Sequence, residues 1–176
     1  ADVPVFVEGH SAFAEGVGEA LPPVDLPSLV FLVLQPECFI STADLFSQDQ
    51  LTRNTPKTTF AAYRKDLSQL VITGVDSGLF HNDCEPVARA LFPLVDAALQ
   101  FLERQRQHLG TGMVRMTGTG ACVFLALPAD VGQSDLVVQQ LSGLLQQAPC
   151  SGFVCRGVSG SPVMTAMRAM QALSSP

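Results

Sequence analysis

Charge is scarce in this sequence, and positive charge is scarcest. Only 15% of the 176 residues are charged, and 10 Lys and Arg stand against 16 Asp and Glu, which gives a formal net charge of −6. No stretch of the chain is basic. Because nucleic acids and anionic membrane surfaces are bound through clustered positive charge, the composition argues against both as partners.

Long apolar runs and paired cysteines are also missing. No apolar run approaches the ~20 residues that a membrane-spanning helix needs, so we expect no membrane partner. The cysteines are odd in number, contain no Cys-x-x-Cys pair and sit among apolar neighbours. This pattern favours buried free thiols in a reducing, cytoplasmic compartment over a zinc site or a disulfide framework. The five are Cys38, Cys84, Cys122, Cys150 and Cys155.

Apolar residues, by contrast, are abundant. They make up 47% of the chain, which is enough for a core and excludes an intrinsically disordered protein. The chain opens on an apolar run at residues 3–7, without an initiating methionine or a signal peptide. We therefore expect it to be a piece of a longer protein.

Apolar periodicity divides residues 29–158 into strands and helices. The run at residues 29–34 is uniformly apolar, which predicts a strand buried on both faces. Two further apolar runs flank residues 117–120, and a last one covers residues 152–158. Helical spacing fills the intervals, so the order is strand, helices, strand, strand, helix, strand. That order is typical of the split β-α-β, or ferredoxin-like, sandwich, an α+β fold with an antiparallel sheet and helices on one face.

Polar signals predict where the helices begin. Ser41 or Thr42 can cap a short helix. Asn82, with Glu85 three residues later, forms a capping box of the Asn-x-x-Glu kind and predicts the start of another helix. Pro93 interrupts that pattern and is placed to open a further helix.

Two glycines stand between the central apolar runs, in the sequence Thr117-Gly118-Thr119-Gly120. As part of a β-hairpin, these glycines would supply positive φ angles. As part of a binding loop, they would let the backbone approach a ligand closely, so that exposed N–H groups face an anion such as phosphate. Both interpretations fit the segment taken by itself.

Four separate segments together resemble the GHMP small-molecule kinases, and most closely those of the non-mevalonate isoprenoid pathway that act on cytidine diphosphate-methylerythritol. Each segment is weak evidence alone, but their order and spacing match over nearly the whole chain. The segments are residues 1–7 with 9–19 (ADVPVFV and GHSAFAEGVGE), 51–56 (LTRNTP), 82–88 (NDCEPVA) and 117–124 (TGTGACVF).

The resemblance implies a division into two domains. Residues 1–27 would be the end of an N-terminal, ribosomal-S5-like kinase domain, and residues 28–176 the ferredoxin-like, substrate-binding C-terminal domain. The family's Lys-x-Asn-Leu motif and its glycine-rich ATP loop, Pro-x-x-x-Gly-Leu-Gly-Gly-Gly-Ser-Ser, do not occur in this sequence. We therefore expect the C-terminal portion of a kinase, inactive without the N-terminal half as its partner.

The resemblance also implies substrates and site residues. ATP, with Mg²⁺, would donate its γ-phosphoryl group to a hydroxyl of the cytidylylated alcohol. Asp2 occupies the position of the catalytic aspartate, which accepts the proton of that hydroxyl or orients it. Phe46 matches the aromatic that stacks on cytosine, and Thr42, one helical turn earlier, matches a substrate contact. No residue is assigned as a metal ligand. The loop on the ATP and phosphate side would be Gly118, Thr119 and Gly120.

Each of these residues also has a plainer interpretation. Asp2 is equally described as an acid near a terminus, Phe46 as a core phenylalanine, and Thr42 as a helix cap. A ferredoxin-like binding module without catalysis keeps the same fold and is the alternative from another functional class. Within the superfamily, the alternative is a kinase of the mevalonate or homoserine type.

Overall fold

The computed structural model describes residues 2–56, 58–59, 61–65, 69, 80–128, 134–164, 166–167 and 170. The chain divides into two compact units. The larger is Ser28–Arg156, and the smaller combines Ala1–Pro27 with Gly157–Pro176. The assignment of residues 1–27 and 28–176 to two kinase domains stays a prediction.

A four-stranded antiparallel sheet forms the centre of the larger unit. Its strands lie in the spatial order β2-β3-β1-β4, so β1 is an inner strand and β2 an edge strand. The chain order of strands and helices is that of the split β-α-β sandwich, which confirms the predicted α+β class. The strands are β1 Leu29–Gln35, β2 Met113–Met116, β3 Val123–Pro128 and β4 Ser151–Arg156.

The two faces of β1 differ in burial. Leu32 and Leu34 are fully buried, whereas Phe31 and Val33 on the opposite face are half-buried. The prediction of a strand buried on both faces is therefore only half right. The helices pack on one face, while on the other Phe31 meets Phe124 edge-on, with ring centroids 5.8 Å apart.

Helices of the larger unit supply the rest of its core. The longest helix begins at Pro93, as predicted, and ends at Gly110, whose φ of 70° gives the left-handed cap that glycine favours. Arg89 joins this helix to the preceding one through bonds of 2.7 Å to Asp96 and to Glu103. The helices are α2 Thr42–Phe46, α3 Cys84–Leu91, α4 Pro93–Leu109 and α5 Ser134–Leu144, with a 3₁₀ turn at Leu145–Gln147.

The capping box predicted at Asn82 and Glu85 is wrong. The helix α3 begins at Cys84, and the Cys84 N–H donates to the side-chain oxygen of Asn82 at 2.9 Å. The carboxylate of Glu85 does not reach back to Asn82 but accepts from the N–H of Met116 at 2.7 Å. Met116 ends the edge strand β2, and an edge strand offers unpaired backbone groups that local sequence does not reveal.

All five cysteines are free thiols, as the sequence predicts. Their burial is uneven, because Cys84 is buried while Cys155, near the end of the edge strand β4, is exposed. The expectation that all five are buried holds only for Cys84, because the other three are half-buried and Cys155 is exposed. Of the helices that the structure describes, none has both the length and the apolar character required to cross a bilayer.

The smaller unit begins with helix α1, Asp2–Glu8. Gly9, at a φ of 70°, ends the helix, and its carbonyl accepts from the N–H of Ser161 at 2.8 Å. The residues that follow form isolated bridges, including Ala12 with Pro23 and Glu15 with Ala20, rather than a continuous ladder.

Candidate functional site

Helix α2 positions two of the predicted substrate contacts. Ser41 is its cap, because the Ser41 hydroxyl accepts from the N–H of Asp44 at 3.2 Å. Thr42 is consequently the first helical residue, and the interpretation of Thr42 as the cap is wrong. Phe46 lies four residues later, so the two side chains share one face of the helix. Leu45, only 1% exposed, anchors α2 in the core.

Phe46 is 52% exposed. This exposure excludes the alternative in which Phe46 is a core residue. The stacking of Phe46 on cytosine stays a prediction. An aromatic ring that presents its surface at the end of a helix is a suitable platform for a nucleobase.

Arg53 fixes the end of α2, and sequence reasoning gave this residue no role. Its guanidinium donates to the carbonyls of Phe46 at 2.5 Å, Leu51 at 3.0 Å and Gln48 at 3.2 Å. Basic side chains near a helix C-terminus commonly satisfy the last carbonyls, so a short helix followed by an arginine was the available signal. Arg53 thereby holds the backbone from which the Phe46 ring projects.

The Thr-Gly-Thr-Gly segment is a hairpin turn between β2 and β3. The N–H of Thr117 donates to the carbonyl of Cys122 at 2.9 Å, and the N–H of Gly120 donates to the carbonyl of Thr117 at 2.8 Å. Gly118 has a φ of 49° and Gly120 a φ of 91°, values that disfavour residues with a Cβ atom. The hairpin interpretation is confirmed.

The turn also has two backbone donors that could face a ligand. Within the part of the chain that the structure describes, the N–H groups of Gly118 and Thr119 donate to no acceptor. Gly118 is exposed and Thr119 half-buried. Consecutive unpaired N–H groups in a glycine turn form the kind of concavity that binds anions. The hairpin and the binding loop are therefore compatible interpretations of one segment.

A direct contact joins α2 to the turn. The hydroxyl oxygens of Thr42 and Thr119, 77 residues apart in sequence, lie 3.1 Å from each other. The structure thus brings together two of the predicted site regions. Asp2, the predicted catalytic aspartate, is the first residue of α1 in the smaller unit, and its approach to Thr42 and Thr119 stays a prediction.

Asn82 and Glu85 support the turn from the start of α3. The side-chain amide of Asn82 donates to the carbonyl of Met116 at 3.0 Å and to that of Gly118 at 2.7 Å. Glu85 accepts from the N–H of Met116. Sequence reasoning missed these contacts, since it treated both residues as a local helix cap.

Asp83 ties a further segment to the same place. The hydroxyl of Thr55 lies 2.9 Å from each carboxylate oxygen of Asp83, and the Nε2 atom of His81 lies 3.6 Å from Oδ1. Burial, and next the charge of Asp83, raise the pKa of the Cys84 thiol. The carboxylates of Asp83 and Glu85 are thus engaged within the protein. Among the residues described, no group of three or more His, Cys, Asp or Glu is arranged to hold a metal ion.

Several curated proteins are similar to this chain, although no family model matches it. Three of them, each named 4-diphosphocytidyl-2-C-methyl-D-erythritol kinase, come from Acinetobacter baylyi, Marinobacter nauticus and Alcanivorax borkumensis. They are 40%, 42% and 46% identical to the chain over 163, 164 and 165 residues. Each match covers 93% of this chain but only 50%, 50% and 48% of the relative.

A solved structure described as that of 4-(cytidine 5'-diphospho)-2C-methyl-D-erythritol kinase has a similar fold. Its TM-score is 0.62 at 24% sequence identity, and the match covers 92% of this chain and 54% of that one. At this identity, the likeness supports the fold alone. The chain spans about half the length of the curated relatives it matches, and that half is their C-terminal one. Over the half that it spans, the chain is similar to proteins named 4-diphosphocytidyl-2-C-methyl-D-erythritol kinase.

Proposed function

We propose that this chain is the C-terminal portion of a cytoplasmic, ATP-dependent kinase. Its acceptor would be the 2-hydroxyl of 4-diphosphocytidyl-2-C-methyl-D-erythritol, in the non-mevalonate route to isoprenoids. The observation that carries the proposal is the 40–46% identity, over 93% of the chain, to relatives that bear this kinase name. Residues 1–27 would then end the N-terminal kinase domain, and residues 28–176 would form the substrate-binding domain.

The base of the substrate is recognised by Phe46 in this proposal. Its half-exposed ring stacks on cytosine, which has an aromatic face of similar size. Thr42, on the same helix face, contacts the phosphate-bearing part of the substrate. The bond between Thr42 and Thr119 supports this arrangement, since it fixes the base-side helix against the glycine turn.

The glycine turn binds phosphate groups on the ATP side of the site in this proposal. The N–H groups of Gly118 and Thr119, which have no acceptor among the described residues, are donors to phosphate oxygens, and such charge-assisted bonds are stronger than neutral ones. Gly120 keeps the turn in its conformation. The main cradle for ATP would lie in the N-terminal half, as the family resemblance implies. Mg²⁺ would arrive with the ATP phosphates, whose developing charge it neutralises.

Asp2 acts on the acceptor hydroxyl in this mechanism. The hydroxyl oxygen forms a bond to the γ-phosphorus, the bond from that phosphorus to the β,γ-bridging oxygen breaks, and ADP leaves. The hydroxyl proton passes to the Asp2 carboxylate. An ordinary aspartate carboxyl, with a pKa of ~3.9, is a weak base, so Asp2 orients the hydroxyl first and takes its proton late in the step.

The test uses the full-length protein encoded by this gene, with ATP, Mg²⁺ and the cytidylylated alcohol, and follows ADP release. We expect phosphorylation of this substrate and none of mevalonate or homoserine. Asp2→Asn should lower kcat at least about a hundredfold. Asp25→Asn is the matched control, because Asp25 is an exposed acid of the same unit, and should stay within about twofold of the wild type.

Three results would contradict the proposal. A full-length protein without kinase activity would favour the binding module. Preference for mevalonate or homoserine would place the protein with another kinase of the superfamily. Equal kcat values for Asp2→Asn and the wild type would refute the role of Asp2.

A further inference from the structure

We propose that Asn82 is a positioning residue that sets the direction of the Thr119 N–H, a donor of the glycine turn, and that Glu85 fixes the strand end from which the turn leaves. The inference rests on the proposed function, because the turn acts there on phosphate. It assigns a role to the segment of residues 82–85 beyond helix capping.

The geometry of one peptide unit carries the first step. The carbonyl of Gly118 and the N–H of Thr119 belong to the same planar, trans peptide group, in which the two bonds point in opposite directions. The amide of Asn82 holds the Gly118 carbonyl at 2.7 Å. It therefore directs the Thr119 N–H away from Asn82, to the side on which that donor has no partner among the described residues.

A glycine turn needs such an external constraint. Gly118 is exposed, and a Cβ atom at this position would meet nothing within 4 Å, so packing does not fix its peptide groups. Glycine also has access to more backbone conformations than any other residue. Without the bond to Asn82, the Gly118–Thr119 peptide is free to rotate and to point its N–H elsewhere.

Asn82 is itself held in one orientation. Its side-chain oxygen accepts from the N–H of Cys84 at 2.9 Å, so its nitrogen faces the carbonyls of Met116 and Gly118. All three partners have the matching polarity, which assigns the oxygen and nitrogen of the amide. The helix that Asn82 precedes is anchored in the core by Val87 and Ala88.

Glu85, together with Asn82, binds the backbone of Met116 at the end of β2. The N–H of Thr117 points toward β3, where it donates to Cys122, so the polar groups of the preceding Met116 point away from the sheet. Glu85 accepts from the Met116 N–H, and Asn82 donates to the Met116 carbonyl. Both backbone groups at the end of the edge strand are thereby paired with side chains of the segment 82–85.

The variant Asn82→Asp separates positioning from capping. Aspartate keeps the acceptor for the Cys84 N–H, but it loses both donors and sets a carboxylate oxygen against two carbonyls. Gln100→Glu is the matched control. It makes the same change from amide to carboxylate at an exposed position of α4, where the amide of Gln100 donates to Asp96 at 2.7 Å. Glu85→Gln is the conservative variant, because glutamine retains an oxygen that accepts from the Met116 N–H.

Kinetics of the full-length protein provide the first measurement. Asn82→Asp should lower kcat about tenfold to a hundredfold, the effect of a misplaced contact near the reacting groups. The KM for the cytidylylated alcohol should change less than about threefold, because the hydrogen bonds of Asn82 reach Met116, Gly118 and Cys84 and not Phe46, which binds the base in the proposal. Glu85→Gln and Gln100→Glu should both retain the wild-type kcat. A loss confined to KM, or an equal loss in Gln100→Glu, would overturn the inference.

Nuclear magnetic resonance gives a second measurement that does not depend on turnover. In the wild type, added pyrophosphate should shift the amide resonances of Gly118 and Thr119. In Asn82→Asp these shifts should disappear, while resonances of α4 stay in place and show that the protein is folded. If the wild type lacks kinase activity, the proposed function fails but this comparison still tests the inference. Identical pyrophosphate shifts in the two proteins would refute it.

Discussion

Phe46 shows how a single residue is kept available at the surface. The neighbouring Leu45 is buried, while Phe46 leaves half of its surface in water. Full burial of a phenylalanine is worth about 1.5–3 kcal/mol, so the fold forgoes stabilisation that a bound aromatic group can supply. The bond from Arg53 to the Phe46 carbonyl holds the backbone at this position, which would reduce the entropy cost of the proposed binding.

Replacement of Phe46 by alanine should therefore weaken substrate binding more than it weakens the fold. Stacking on a base contributes about 1–3 kcal/mol, which corresponds to a rise in KM of about fivefold to 150-fold for the cytidylylated alcohol. The free energy of unfolding should change by less than about 1 kcal/mol. Phe153→Ala is the control, since Phe153 on β4 is also 52% exposed. Steady-state kinetics that show equal KM values for both variants would contradict the assignment.

The glycine turn marks the limit of what local sequence predicts about an element. The apolar runs and the paired glycines were sufficient to predict the hairpin, because both signals lie within ten residues. The partners of the turn come from elsewhere in the chain: Asn82 lies 36 residues before Gly118, and Thr42 lies 77 before Thr119. The spacing of Asn82 and Glu85 predicted a capping box, but Glu85 accepts instead from the N–H of Met116. That N–H is available because the sheet leaves it on an edge strand, which a local pattern does not reveal.

The two glycines of this turn should differ in their response to alanine. A Cβ atom on Gly120 would lie 2.8 Å from Cδ1 of Ile40 and 2.9 Å from Sδ of Met116, at a φ of 91°. Gly118 has open space and a φ of 49°. We expect Gly118→Ala to cost about 1–2 kcal/mol through backbone strain alone. Gly120→Ala should cost about 1–3 kcal/mol more, because the core must also move.

Chemical denaturation followed by circular dichroism measures this difference. The wild type and both variants should be compared in the same buffer, with the midpoint and the slope of each transition reported. A Gly118→Ala variant as unstable as Gly120→Ala would mean that Ile40 and Met116 do not confine the turn.

In the larger unit, burial changes the pH at which three of the cysteine thiols lose their protons. Burial raises the pKa of Cys38, of Cys84 and of Cys150. At Cys84 the charge of Asp83 adds to the effect of burial. The sequence predicted free thiols from the odd number of cysteines and the absence of close pairs. It could not predict how far each thiol is buried, because burial depends on which helices cover which strand.

These raised pKa values fix the sign of a pH effect on global stability. Above about pH 8.5, the ordinary pKa of a thiol, the unfolded chain loses thiol protons that the folded chain keeps. The folded state then binds more protons, so the free energy of unfolding falls as the pH rises through the pKa of the folded state. For one thiol the slope is at most about 1.4 kcal/mol per pH unit.

Cys84→Ala should reduce this slope, because it removes a buried titrating group. Cys155→Ala should leave the slope unchanged, since Cys155 is exposed. Denaturation curves between pH 7 and pH 10 provide the measurement, and equal slopes for the wild type and Cys84→Ala would show that this thiol does not control stability at high pH.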